Sequence, residues 1–264
     1  MAAEIDTAAA EAFERYLVPP LFGPWSRMLI DAVAPAPGEA VLDVACGTGA
    51  AARYAATLVA PGGRVSAIDI NAGMIAHART LEGVEAIEWR EGDALALPWD
   101  EAEFDAVVCN QGVQFFPDRA AGIGEMRRVL KPGGRLGVGL YCALPYCPGH
   151  NAVARALARY DIDLDGIRRP YSLGDPVALG DLLEEAGFRD VAVVRRQLES
   201  RFASARAFVA SLAAGGPSAR RALEQLDEAR MQAVIEEVTD ALAEFADADG
   251  LRIVTTSNFA VARK

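Results

Sequence analysis

The sequence predicts an α/β protein: a mostly parallel sheet with helices on both faces. Two observations lead there. Between residues 40 and 141, short apolar runs suited to strands buried on both faces alternate with helical stretches. The first four of these runs also end in polar or acidic residues, at the strand ends where open α/β sheets bind ligands.

Residues 4–34 read as two helices broken by Pro19, Pro20, Gly23 and Pro24, and Pro35 to Gly38 is a linker into the first strand. That strand, Ala40 to Ala45, has Asp43 as its one polar residue. Gly47 and Gly49 then supply a turn with positive φ and close backbone approach, and Ala50 to Val59 forms the helix that opens from it. Its unpaired N–H groups face whatever sits over the turn. The pattern Gly47-x-Gly49-x-x-Ala52 fits dinucleotides and other adenosine cofactors alike.

Asp43 narrows the choice. A carboxylate four positions before the first glycine repels a pyrophosphate and attracts an amino group, as on S-adenosylmethionine, which carries an ammonium and a sulfonium. The structural alternative makes Asp43 a cap for the turn.

Arg64 to Ile70 is the second strand, ending in Asp69, 20 residues after Gly49 and placed to accept ribose hydroxyls. Asn71 caps a helix over Ala72 to Leu81, ended by Gly83, with Met74 directed at the adenine or into the core. A third strand, Ala86 to Arg90, runs into Gly92, Asp93 and Ala94, where Asp93 can accept from an adenine amino group. The fourth, Phe104 to Cys109, leads to Asn110, Gln111 and Gly112, whose carbonyls suit an ammonium.

Asp118 to Leu130 is helical. Lys131 to Gly134 turns the chain into a fifth strand, Arg135 to Tyr141. Beyond it, helices are expected around Asn151 to Tyr160, over Asp175 to Ala186, Phe202 to Ala214 and Ala219 to Phe245, with strands at Phe188 to Arg195 and Arg252 to Val261.

In order, VLDVACGTG (41–49), AIDIN (67–71), EGDALALPWDEAEFDAVVCNQGVQFFPD (91–118) and EMRRVLKPGGRLGV (125–138) resemble the class I S-adenosylmethionine-dependent methyltransferases, in the branch of ubiquinone and menaquinone biosynthesis C-methyltransferases. The resemblance covers roughly residues 38–142. It implies a Rossmann-like sheet of seven strands with one antiparallel strand near the C-terminus. It also implies that Asp43, Gly47 and Gly49 lie near the methionyl end, Asp69 at the ribose, and Asp93 and Ala94 at the adenine. Tyr16, Ala45, Ile70, Met74, Gly92, Asn110 and Gln111 complete the expected cofactor contacts.

The activity expected is methyl transfer from S-adenosylmethionine to a small-molecule acceptor, aromatic or quinone-like, with release of S-adenosylhomocysteine. Two other classes share the glycine turn: a non-methylating S-adenosylmethionine-binding relative, and an NAD-dependent oxidoreductase. The latter must tolerate Asp43, and neither lysine follows a tyrosine in Tyr-x-x-x-Lys spacing. In-line displacement at a sulfonium methyl is accelerated mainly by holding the nucleophile close and collinear, and a base is needed only if the attacking atom carries a proton. His150 is the candidate base by its ordinary imidazole range, against a plain role at a helix start. Gln114 and Tyr141 are candidate acceptor contacts, and Tyr16, Phe22 and Trp25 mark the entrance or a hydrophobic clamp.

One methyltransferase domain is expected over residues 1–264, with an N-terminal helical segment (1–37), a cofactor core (38–142) and helical substrate covers (143–174 and 200–247). A net charge of -11, with Lys only at 131 and 264, disfavours a nucleic-acid partner. No apolar run reaches the roughly 20 residues of a bilayer span, and no leader pattern is visible, so a cytoplasmic protein is expected. The cysteines at 46, 109, 142 and 147 lack metal-ligand spacing and read as reduced thiols, and no metal is expected.

Overall fold

The strand signals join in one mixed sheet. The computed structural model describes residues 5–216 and 218–264. Its strands are β1 (Ala40–Val44), β2 (Arg64–Asp69), β3 (Ile87–Glu91), β4 (Phe104–Asn110), β5 (Leu130–Tyr141), β6 (Arg189–Phe202), β7 (Ala246–Asp247) and β8 (Gly250–Arg263). The path runs β3-β2-β1-β4-β5-β8-β6, with β7 a short addition to β8. Parallel pairing joins the first five strands, and β8 runs antiparallel to both its long neighbours. The expected seven strands form this path, and the two-residue β7 makes an eighth.

The order reverses between β1 and β4, so the loops after these strands diverge to opposite faces and leave a crevice at their C-terminal ends. All five residues of β1 are buried, Asp43 included, as expected of a strand covered on both faces. On one face, α2 (Gly23–Val33), α3 (Ala50–Val59) and α4 (Ala72–Ala78) pack around Trp25, Leu29 and Trp89. On the other, α5 (Arg119–Val129) and α8 (Pro176–Glu185) close over Phe104, Met126 and Leu183. A third core is built from α1 (Ala8–Tyr16), α6 (Pro148–Leu157), α7 (Asp165–Arg168), α9 (Ala205–Gly215), α10 (Arg220–Leu223) and α11 (Glu228–Ala241) around Phe208, Leu157 and Val238, against Phe202 of β6 and Leu251 and Ile253 of β8.

The N-terminal helices are less separated than the prolines imply. Val18–Phe22 forms a π-helical turn between α1 and α2, with Pro24 in the first turn of α2, where a missing N–H is tolerated. The single helix expected over Ala219 to Phe245 is instead two. Asp227 takes an extended conformation and accepts from Arg230 N–H at 2.8 Å, starting α11 afresh. The sixth strand continues to Phe202, so α9 begins at Ala205 under a Ser204 cap. β6 lies at the sheet edge and pairs only with β8, from Arg189 opposite Arg263 to Phe202 opposite Leu251. The charged, exposed residues beyond Arg195 hide its continuation from an apolar-run reading. The Lys131 to Gly134 turn is an irregularity within β5, where register shifts between Phe104 and Ala106.

Candidate active site

A cavity of about 410 Å³ opens in the crevice, between the strand tips and the helical core. Its walls contain the expected residues Asp43, Ala45, Gly47, Asp69, Ile70, Met74, Gly92, Asp93, Ala94, Asn110, Gln111, Gln114, Tyr141 and His150.

Asp43 is buried at the end of β1, and one carboxylate oxygen accepts from Ala52 N–H at 3.0 Å. Both sequence readings therefore meet in one side chain: it braces α3 and also lines the cavity. Burial pushes its carboxyl up to about 7, with the nearby Asp69 charge adding to the rise and the Ala52 N–H opposing it. Asp69 accepts from Gly47 N–H at 2.8 Å through one oxygen and from Asn71 N–H at 2.9 Å through the other. It thus clips the glycine turn to the end of β2. Burial raises its pKa as well, against those two N–H groups.

Beside the acids the backbone is strained. Ala45 (φ 56°) and Gln111 (φ 59°) both occupy the left-handed region, and a Cβ on Gly112 would lie 2.7 Å from the Ala45 Cβ. Such conformations persist where packing enforces them, and they gather at functional sites. Ile70, 72% exposed, presents an apolar face between Asp69 and the loop of Asp93. Asp93 accepts from Leu95 N–H at 2.9 Å, which fixes that loop.

Two of the expected cofactor contacts fall outside the lining of this cavity. Tyr16 is 40% exposed, away from the cavity and beside Arg15. Phe13 of α1 and Leu17, its C-terminal cap four residues on, line the cavity instead. Gly49 also lies outside the lining, and a Cβ there would lie 2.1 Å from the Trp89 ring of β3.

His150 lines the cavity, but its setting does not suit a base near neutral pH. Its Nδ1 is buried without a partner, and burial lowers the imidazole to about 4. Tyr141 and Tyr171 stack at 5.5 Å, with the His150 and Phe208 rings 5.3 Å apart behind them. Trp25 lies outside the cavity, donating to Thr255 Oγ1 at 3.1 Å under α2.

Sequence reading missed Tyr171, Ile167, Leu212 and Ala219, which reach the cavity from the helical core. It also missed the clamp that seats α1. Thr48 Oγ1 donates to Glu14 at 2.5 Å, while Arg53 bridges Thr48 O and Glu14, each at 2.7 Å. A Glu on a helix facing an Arg after a glycine turn carries no local signal of such pairing. Among the described residues no group of three or more His, Cys, Asp or Glu is placed to hold a metal ion, and no helix is long and apolar enough to cross a membrane.

Comparison with known proteins bears on the same crevice. The profile of a methyltransferase domain matches residues 41–134. Demethylmenaquinone methyltransferase of Beutenbergia cavernae is 33% identical over 182 residues, spanning 63% of this chain and 72% of that protein. The chain belongs to the class I S-adenosylmethionine-dependent methyltransferases. The chloroplastic 2-phytyl-1,4-beta-naphthoquinone methyltransferase of Arabidopsis thaliana is 38% identical over 43% of this chain and 46% of its own length. The chain thus matches about half the length of that relative. Haemonchus contortus phosphoethanolamine N-methyltransferase 2 shares the fold, with a TM-score of 0.59 at 19% identity over 97% of this chain and 56% of its own. That likeness is one of fold.

Proposed function

We propose that this protein transfers a methyl group from S-adenosylmethionine to an apolar, ring-containing small molecule and releases S-adenosylhomocysteine. One observation carries the reading. A single cavity joins the acids Asp43, Asp69 and Asp93 at successive strand tips to a lobe lined by Leu17, Leu21, Phe22, Val153, Ile167 and Tyr171.

The residues present fit the donor. Asp43 is a buried carboxylate with no cationic hydrogen-bond partner among the described residues, raised by burial, and an ammonium there restores its ordinary ionisation. Asp69 suits ribose hydroxyls, and Ile70 with Met74 suits the adenine faces. When bound, the donor supplies an electrophilic methyl. The chain's part is then to orient the acceptor and exclude water, the means by which proximity lowers a displacement barrier by roughly 7–11 kcal/mol. The apolar lobe gives it the surface to do so. Neutral His150 and Tyr141 offer hydrogen bonds there without charge at neutral pH.

The named relatives act on a demethylmenaquinone and a phytyl naphthoquinone, which supports a ring acceptor of that class. We assign the helical segments 143–174 and 200–247 to covering it, with α1 closing the donor end through Glu14 and Arg53. The test is incubation with methyl-labelled S-adenosylmethionine and a panel of naphthoquinone and hydroxynaphthalene acceptors. Label is expected in an organic-extractable product. Cofactor binding without label transfer to any ring acceptor would point to a non-methylating relative.

A further inference from the structure

The acceptor lobe contains a polar atom whose hydrogen-bonding sense is fixed by its neighbours. Tyr141 N–H donates to the Gln111 side chain at 3.0 Å, and a backbone N–H only donates, so the atom it meets is Oε1. The Gln111 Nε2 then donates to Ser257 Oγ at 3.2 Å. Gln114 approaches the same Gln111 Oε1 at 3.2 Å, and because an amide oxygen cannot donate, the approaching atom is Nε2. Its own Oε1 is therefore turned elsewhere.

Gln114 is 2% exposed and lines the cavity, and its Oε1 has no partner. Buried polar side-chain atoms without partners are few in native proteins, and each calls for an explanation. The turn carrying Gln114, Val113–Phe115, packs on the Arg169–Tyr171 turn, whose Tyr171 ring is stacked on Tyr141. An orphaned acceptor thus sits beside a flat aromatic wall. The Tyr141 hydroxyl, from the same wall, is also buried without a partner. A hydroxyl group on a ring satisfies Gln114 by donating to it, whereas a carbonyl or ether oxygen leaves Gln114 unpaired.

We propose that Gln114 selects the methyl acceptor by accepting a hydrogen bond from it, so that the acceptor is an apolar ring bearing a hydroxyl, a phenol or enol. The proposal rests on the reading of this cavity as a methyl-transfer site. Its test uses the full chain saturated with S-adenosylhomocysteine and titrated with 2-naphthol, 2-methoxynaphthalene and naphthalene.

2-Naphthol is expected to bind at least about tenfold more tightly than the methoxy compound, whose oxygen only accepts. In Gln114→Met that ratio falls to near one, while affinity for S-adenosylhomocysteine stays within about threefold, since a volume-conserving change leaves the donor end intact. Equal binding of naphthol and methoxynaphthalene by the unsubstituted protein, a ratio that survives Gln114→Met, or no naphthol binding at all overturns the proposal. Failure to bind S-adenosylhomocysteine in the first place overturns the methyl-transfer reading instead.

Discussion

Asp43→Asn is expected to stabilise the ligand-free protein above pH 7 while weakening S-adenosylhomocysteine binding by roughly ten- to a hundredfold, the value of a hydrogen bond to a charged group. The opposite signs follow from one cause. The carboxyl ionises at about 7 when folded, against 3.8 ordinarily, because burial disfavours its charge. The folded protein thus keeps a proton that the unfolded chain has released. Stability from this group is fully present below about pH 4 and is lost as pH rises toward 7, at up to about 1.4 kcal/mol per unit. Asparagine keeps the bond from Ala52 N–H and carries no charge, so it escapes this loss. Melting curves at pH 5 and pH 8 check it, each kcal/mol appearing as roughly 2–4 °C in a chain of this size.

Ligand binding reverses the balance. An ammonium beside Asp43 favours the carboxylate, so below pH 7 binding expels a proton and affinity rises with pH by up to about tenfold per unit. In Asp43→Asn this dependence disappears. Equal affinity in both proteins at pH 7.5 would remove Asp43 from the donor site.

Gly49→Ala is expected to destabilise the fold by about 2–5 kcal/mol, summing the cost of a left-handed alanine and of overpacking. The glycine has φ +82°, and the new Cβ would lie 2.1 Å and 2.5 Å from two carbons of the Trp89 ring. The two parts are separable. Trp89→Leu removes the ring, so the double variant should be more stable than the sum of the single effects predicts, by at least about 1 kcal/mol, as contacting residues show. Urea unfolding of the four proteins measures this. Strict additivity would mean that the ring is not what excludes a side chain at Gly49.

Gly49 also marks how far sequence reaches into this site. The turn itself was legible because strand, acid and glycines are contiguous, and the same holds for Asp69 and Asp93 at the next two strand ends. That Gly49 faces Trp89 rather than the cavity depends on β3, 40 residues away, and no local pattern reports it. Tyr16 and Phe13 differ only in helical phase, which becomes decidable once the face of α1 that meets α9 is known. Tyr171, Leu212 and Ala219 reach the acceptor lobe through tertiary packing of separate helices, and their sequence reads as ordinary apolar helix. His150 was found by type and place, but its weak basicity arises from burial among aromatic rings brought together from β5, α9 and the Arg169–Tyr171 turn. The fold followed the same division: β1 to β5 are central and apolar, whereas the length of β6 and the break before α11 are set by an edge pairing and by one capping aspartate.

We propose that the strand-tip acids hold a methyl donor and not a dinucleotide. Calorimetric titration of the purified protein with S-adenosylhomocysteine and, separately, with NAD at pH 7.5 tests it most directly. Saturable one-to-one binding of S-adenosylhomocysteine and no binding of NAD are expected. Tight NAD binding without S-adenosylhomocysteine binding would contradict it.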